Sequence, residues 1–357
     1  MAPAPGPQES SRQMNPTIIG VIGTGRIGRM HAHNLVRYVP EAFVKAVASR
    51  SVDAGWADGM GIPVAVADAD VVLCDPEIEA VVIALSSGLH VEAICRAAQA
   101  GKHIFCEKPV AFAAGPIREA LAAVHGAGVQ LQVGFNRRFD PSLMKVQQAV
   151  RDGAVGALQG LRIINRDPRA PAIEFVRRSG GLFFDFTIHD FDTVRFLSGE
   201  EIVEVYAAGT ALVDEEIAAA GDIDTAVIAL RLANDALCSI DNSRETGYGY
   251  DQRFEAFGAL GNLAVDNLRP TTMSSSIAGG VFVDGPPSTF VERYREAFVA
   301  ELRSFVQCIR DGSQVAATGE DALAAVLAAQ AATVSVRENR PVKLTEIEQL
   351  ISVEVSS

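Results

Sequence analysis

The chain has 357 residues, 48% of them apolar and 21% charged, and a formal net charge of −13. At about 150 residues per domain that length suggests two domains, and the balance of apolar to charged residues excludes a mostly disordered or fibrous chain. An acidic chain without a basic patch makes nucleic acid and anionic membrane poor partners, and no apolar run approaches the roughly 20 residues of a membrane span.

Residues 1–15 are rich in Pro, Ala and Ser and are expected to form a disordered tail, since they lack the roughly 7–15-residue apolar core of a secretion signal. Cys74, Cys95, Cys106, Cys238 and Cys308 are odd in number, widely spaced and without a CxxC. That usage fits reduced thiols in a cytoplasmic protein. From Thr17 an apolar strand leads into a glycine turn and a helix through Arg37, and a second strand runs from Phe43 to Ala48. Further strands are expected at Val71–Leu73, Ala80–Leu85, His103–Cys106 and Leu131–Val133, with helices at His90–Ala100 and Ile117–His125. Alternating strands and helices with short connections predict an α/β, doubly wound parallel sheet of the Rossmann type over residues 16–137.

Beyond Phe139 the pattern changes. Strand-like segments at 160–165, 203–209, 225–230, 236–242, 252–257 and 261–265 follow one another, several through short turns. They predict a large open, mostly antiparallel sheet in an α+β domain over residues 138–357. Helices are expected to accompany it at 141–152, 184–197 and 290–310. An Ala-rich helix at 320–339 has small residues on several faces and is expected to pack back on the first domain.

Gly23-Thr24-Gly25-Arg26-Ile27-Gly28 lies between the first strand and the first helix. A dinucleotide site uses the first glycine for a tight turn, the second for approach of the pyrophosphate and the third for helix–strand packing, with free helix N–H groups receiving the negative charge. Arg26 and Ile27 would then flank the cofactor. An NAD site usually ends its second strand with an acid for the ribose hydroxyls, but this strand ends in Ser49-Arg50. A hydroxyl followed by a guanidinium suits a 2′-phosphate, so the cofactor is NAD or NADP with a lean toward NADP. The alternative is that Arg50 is a solvated loop residue and NAD is used.

GKHIFCEKP (101–109) puts Glu107 and Lys108 at the carboxyl end of a predicted strand, where open α/β sheets bind ligands. Asp185 and His189 stand four residues apart in a predicted helix and share its face, so a carboxylate could orient an imidazole or both could grip vicinal hydroxyls. Each feature also has a plainer reading, a solvated lysine and a structural Asp/His pair. His90 opens a helix beside the cofactor cleft and either caps that helix or touches the cofactor. No set of His, Cys and carboxylates in the sequence has metal-site spacing, so no metal is expected.

Together, GTGRIG and GKHIFCEKP resemble the Gfo/Idh/MocA oxidoreductase family, from about Ile18 to Leu344. Arg166-Asp167-Pro168, the run SGGLFFDFTIHDFDTVRFL from Ser179, and Asn242-Ser243-Arg244 with YGYDQR from Tyr248 look like the corresponding stretches of bacterial inositol 2-dehydrogenases. The resemblance implies that Lys108, Asp185 and His189 converge over a nicotinamide as the catalytic set. It also implies oxidation of a secondary hydroxyl of a small polyol such as myo- or scyllo-inositol, and a dimer or tetramer. A neutral histidine with a pKa near ~6.5 can accept the hydroxyl proton, and a cationic lysine can stabilise the developing alkoxide. Arg138, Asp167 and Tyr248 lie in or near the resembling stretches and are expected to contact substrate hydroxyls. An aldose or other sugar dehydrogenase is the alternative within the fold, and a non-catalytic dinucleotide-binding sensor the alternative outside catalysis.

Overall fold

The computed structural model describes residues 15–354. The tail expected before Asn15 therefore lies almost entirely outside the described residues. In chain order the first part comprises β1 (Thr17–Ile22), α1 (Arg26–Tyr38), β2 (Ala42–Ala48), α2 (Ala54–Gly59), β3 (Val64–Val66), α3 (Asp70–Leu73), β4 (Ala80–Ile83), α4 (His90–Gln99), β5 (His103–Cys106), α5 (Ala114–Ala127) and β6 (Leu131–Val133). All its strands pair in parallel, in the order β3-β2-β1-β4-β5-β6. β1 and β4 are nearly or wholly buried on both faces, as parallel strands covered by helices must be. The strand order reverses between β1 and β4, and that switch point opens a crevice at the carboxyl ends of the strands.

One expected strand is corrected. Val71–Leu73 belongs to α3, because the Asp68 carboxylate accepts the Asp70 N–H at 2.9 Å and begins a helical turn, and the sheet takes Val64–Val66 as its edge strand. A three-residue apolar run carries no periodicity that separates the two states.

The second part comprises α6 (Pro141–Arg151), β7 (Leu158–Arg166), α7 (Ile173–Val176), α8 (Ile188–Ser198), β8 (Ile202–Thr210), α9 (Glu215–Ala219), β9 (Thr225–Leu232), β10 (Leu237–Ser243), β11 (Asp251–Gly258), β12 (Gly261–Val265), β13 (Ser274–Ile277), β14 (Gly280–Val283), α10 (Phe290–Arg293), α11 (Arg295–Asp311), α12 (Gly319–Glu338), β15 (Val342–Lys343) and α13 (Leu344–Glu354). Its seven-stranded sheet runs β12-β11-β7-β10-β9-β8-β15, antiparallel except where β7 lies beside β10. Burial alternates strictly along β9, as expected of a sheet packed on one face only. Helices α8 and α12 cover that inner face, and α12 also packs against α5 of the first part. Its run of Ala322, Ala325, Ala328, Ala329, Ala331 and Ala332 is buried, and such small side chains let neighbouring elements approach closely. No helix among the described residues is long and apolar enough to cross a membrane.

Candidate active site

The glycine loop sets the first wall. Gly23 has φ +98°, and a Cβ there would lie 2.4 Å from the Ala84 carbonyl oxygen, so the turn admits glycine alone. A Cβ at Gly28 would fall 1.8 Å from the Gly23 carbonyl oxygen, which is how closely α1 packs on its own loop. Around Gly25, in contrast, a Cβ would meet nothing within 4 Å. Helix α1 begins there without a side-chain cap, leaving its first N–H groups free. An open space in front of uncapped helix N–H groups fits a pyrophosphate.

This loop opens into a cleft of about 660 Å³ whose walls include Arg26, Ile27, Ser49, Arg50, Glu107 and Lys108. The ends of β1, β2, β4, β5 and β6 all reach it, and the second part closes it with Asp167, Asp185, His189 and Arg244. The first acid after β2 is Asp53, which accepts the Trp56 N–H at 3.0 Å as the cap of α2 and pairs with Arg29 at 3.3 Å. Past the end of β2 the cleft is therefore lined by Ser49, Arg50 and Ser51, with no acid among them. His90 does not cap α4 and is not among the residues lining the cleft. It is 1% exposed, with its ring nitrogens 2.9 Å from the Pro109 carbonyl and 3.1 Å from that of Leu85, so it ties together the loops after β4 and β5 behind the cleft. Helix α4 has no side-chain cap.

Lys108, Asp185 and His189 come together in this cleft. Lys108 Nζ donates to the Asp185 carbonyl at 2.6 Å and lies 3.5 Å from its carboxylate, whose second oxygen accepts from Arg244 at 3.1 Å. Asp185 therefore holds two cations, and the structure shows no hydrogen bond between it and His189. The cause is local: Phe183–Thr187 form a π-helical turn before α8, a wider winding that changes the register expected of a regular α-helix. His189 Nδ1 is buried without a partner. Burial, followed by the charges of Lys108 and Arg137, holds its imidazole well below the usual histidine range. It is thus neutral near pH 7 and able to accept a proton.

Asp167 also faces the cleft. Burial pushes its carboxyl up to about 7, with the Asp185 charge adding to that and Arg244 opposing it. The other two expected substrate contacts, Arg138 and Tyr248, are not among the residues that line this cleft. Arg138 turns away: its guanidinium forks onto Asp192 at 2.6–3.1 Å, lies 2.9 Å from Asp321 and donates to the Ala316 carbonyl, so it clamps α8 to the start of α12. It lines a separate groove on another face, away from Lys108 and His189. Tyr248 is half exposed, with its hydroxyl on Asp251 at 2.6 Å.

In their places stand residues that the sequence reading did not select. Arg137, one position before Arg138, lines the cleft, as do Asn136, Arg244 and Tyr250. The signal for Arg137 was present, since a 3₁₀ turn over Asn136–Phe139 directs successive side chains in different directions and either arginine could have faced inward. Arg244 is 1% exposed, and two of its guanidinium nitrogens make no hydrogen bond, although Nη2 lies 3.9 Å from the Asp222 carboxylate. Beneath the site, buried Asp190 receives Arg137, both donations of the Asn165 amide at 2.9 and 3.1 Å, and Asn242 at 2.9 Å. Gln252 bonds Asn165 and accepts from Tyr294 at 3.1 Å, so this polar network anchors the floor of the cleft on the second sheet.

Two family models match the chain: an oxidoreductase family with an NAD-binding Rossmann fold over residues 18–135, and the GFO/IDH/MocA C-terminal domain over 143–264. The chain belongs to the Gfo/Idh/MocA oxidoreductases. This oxidoreductase is 42% identical over 331 residues to the myo-inositol 2-dehydrogenase of Thermotoga maritima, a match covering 92% of this chain and 99% of the relative. It is 42% identical over 327 residues to the inositol 2-dehydrogenase of Rhizobium meliloti, covering 91% and 98%. Among solved structures, the scyllo-inositol dehydrogenase of Lactobacillus casei with bound NAD(H) and scyllo-inositol superposes with a TM-score of 0.87 at 30% identity, over 93% of this chain and 100% of that one.

Proposed function

We propose that this oxidoreductase converts a secondary hydroxyl of a cyclic polyol, myo- or scyllo-inositol, to the ketone. The observation that carries the reading is a neutral His189 beside the Lys108–Asp185–Arg244 cluster at the carboxyl edge of the dinucleotide-binding sheet. The relatives named above act on inositols and support the substrate class. When bound, the dinucleotide supplies the hydride acceptor. His189 takes the hydroxyl proton, and Lys108 stabilises the negative charge that develops on the same oxygen. Asp185 accepts from a neighbouring hydroxyl while Arg244 fixes its orientation. Asp167 and Arg244 offer an acceptor and donors to further ring hydroxyls, and burial pushes the Tyr250 phenol up so that it remains a protonated donor.

Ser49 and Arg50 leave room for a 2′-phosphate, so turnover with NADP accompanies that with NAD. The exposed face of the second sheet carries Val203, Tyr206, Val227, Leu237 and Phe257 and makes the chain a homo-oligomer. The test is a matrix of initial rates, NAD and NADP against inositols, glucose, galactose and xylose, read at the reduced nicotinamide absorbance. Turnover of an inositol is the expected result. Activity confined to aldoses would replace the substrate, and dinucleotide binding without any turnover would sink the enzymatic reading.

A further inference from the structure

Behind the cleft wall, His31, Glu107 and Glu301 bring one nitrogen and two carboxyl oxygens within 4.8 Å of one another. His31 Nε2 lies 2.7 Å from Glu107 Oε1, with the imidazole fully buried and the Glu107 side chain 14% exposed toward the cleft. Glu301 is 0% exposed, and neither of its carboxyl oxygens has a hydrogen-bond partner. Phe105 and Phe298 pack edge-on against His31 at 5.1 and 6.1 Å and make the surroundings dry. Two ionised carboxylates at this separation in an apolar pocket repel each other, and an unpaired buried charge costs several kcal/mol. One carboxyl must therefore be neutral, and it is the one without a partner.

We propose that Glu301 is a buried proton holder that keeps the Glu107 carboxylate seated on His31 in the cleft wall, as a positioning residue for the dinucleotide. The inference rests on reading the cleft as the dinucleotide site. Burial, and then the charge of Glu107, pushes the Glu301 carboxyl well above its ordinary range, in agreement with the geometry. Among the elements around α11, α1 offers His31 and the end of β5 offers Glu107, while the turn over Asn136–Phe139 and α10 offer Arg137 and Arg293, already engaged by Asp190 and Asp140. Glu107 lies against Gly134, where a Cβ would come within 3.1 Å of its carboxylate, so its seat is shaped on that side as well. When Glu301 loses its proton, the two negative charges separate. Glu301 is enclosed on α11, so Glu107 is the group that moves, into the cleft.

The consequence is an affinity for dinucleotide that falls on the alkaline side. In the whole protein, NAD binding followed by fluorescence is expected to weaken about tenfold per pH unit above the transition, the slope of one linked proton. Glu301→Gln, which copies the neutral acid in shape, is expected to abolish that pH dependence while retaining neutral-pH affinity. Infrared difference spectra of the dinucleotide-free protein, wild type minus Glu301→Gln at pH 7, should show the carbonyl stretch of a protonated carboxylic acid that belongs to Glu301, the Asp167 contribution cancelling because both proteins carry it. Glu107→Gln should move the loss of that band to lower pH, because the neighbouring charge is gone. The proposal is overturned if that difference band is missing or the variant keeps the wild-type pH dependence. It is equally overturned if stoichiometric Zn²⁺ or Mn²⁺ binds the wild type but not Glu301→Gln, which would make the cluster a metal site. Failure of the wild type to bind NAD at any pH would fall on the functional reading, while the infrared band would still decide where the proton resides.

Discussion

Lys108 and His189 have separable signatures. Removing the ammonium in Lys108→Ala takes away stabilisation of a developing alkoxide, a loss of about 10²–10³ in kcat for a single well-placed donor. The Gly25 region is untouched, so the dinucleotide Kd should stay near wild type; a variant with near-normal kcat would remove Lys108 from the catalytic set. His189, depressed by burial and by Lys108 and Arg137, protonates only below the ordinary histidine range. The acid limb of kcat is therefore expected to fall below pH ~6.5, and a limb at or above that value would deny His189 the role of base. Asp167 behaves oppositely, since its carboxyl is pushed up to about 7. It is neutral below that pH and ionised above it. If it accepts from a substrate hydroxyl, KM for the polyol drops as pH rises through 7, and Asp167→Asn flattens this profile. That Lys108, Asp185, His189 and Asp167 line one cleft was legible in the sequence because each sits in a run that marks its position. Arg137 and Tyr250 were not, because choosing between Arg137 and Arg138, or Tyr248 and Tyr250, requires knowing which way a short turn or a strand end faces.

On the scale of elements, the β1–loop–α1 unit separates fold from function within six residues. A methyl at Gly28 strikes the Gly23 carbonyl and should lower the melting temperature. A methyl at Gly25 meets open space, so Gly25→Ala is expected to melt like the wild type while binding NAD more weakly. Equal melting losses for both would mean that Gly25 is a packing glycine and not a phosphate cradle. The Arg138 clamp makes the complementary point, since Asp192 is buried and loses its fork in Arg138→Ala. Stripping one partner from a buried pair costs about 3–5 kcal/mol, and KM for the polyol should not move if the residue is structural. A raised KM with unchanged stability would restore it to the substrate site. The parallel sheet could be read from sequence because buried strands alternate with amphipathic helices. The α3 turn and the π turn at Phe183–Thr187 could not, since a few apolar residues fit strand, helix or π winding until tertiary contacts choose.

Across the whole molecule, the two sheets meet different fates that follow from their burial patterns. The first is covered on both faces by helices, whereas the second covers only one face and leaves alternate residues of β8, β9 and β10 outward. Val227 and Leu237, on neighbouring antiparallel strands, are each more than half exposed. These apolar side chains share the outward face with Tyr206 and Phe257, where they are costly in water and favour a second copy of the same face. The cleft opens on the other side of this sheet, where Asp190, Asn165 and Asn242 lie buried beneath Arg137, so association there leaves the site accessible. Light scattering is expected to show a dimer or tetramer for the wild type. Val227→Glu combined with Leu237→Glu places like charges on both copies of a symmetric contact and should lower the mass toward the monomer with dinucleotide binding kept. A monomeric wild type, or a double variant that keeps its full mass, would mean that this face meets solvent and that its apolar residues are not an interface.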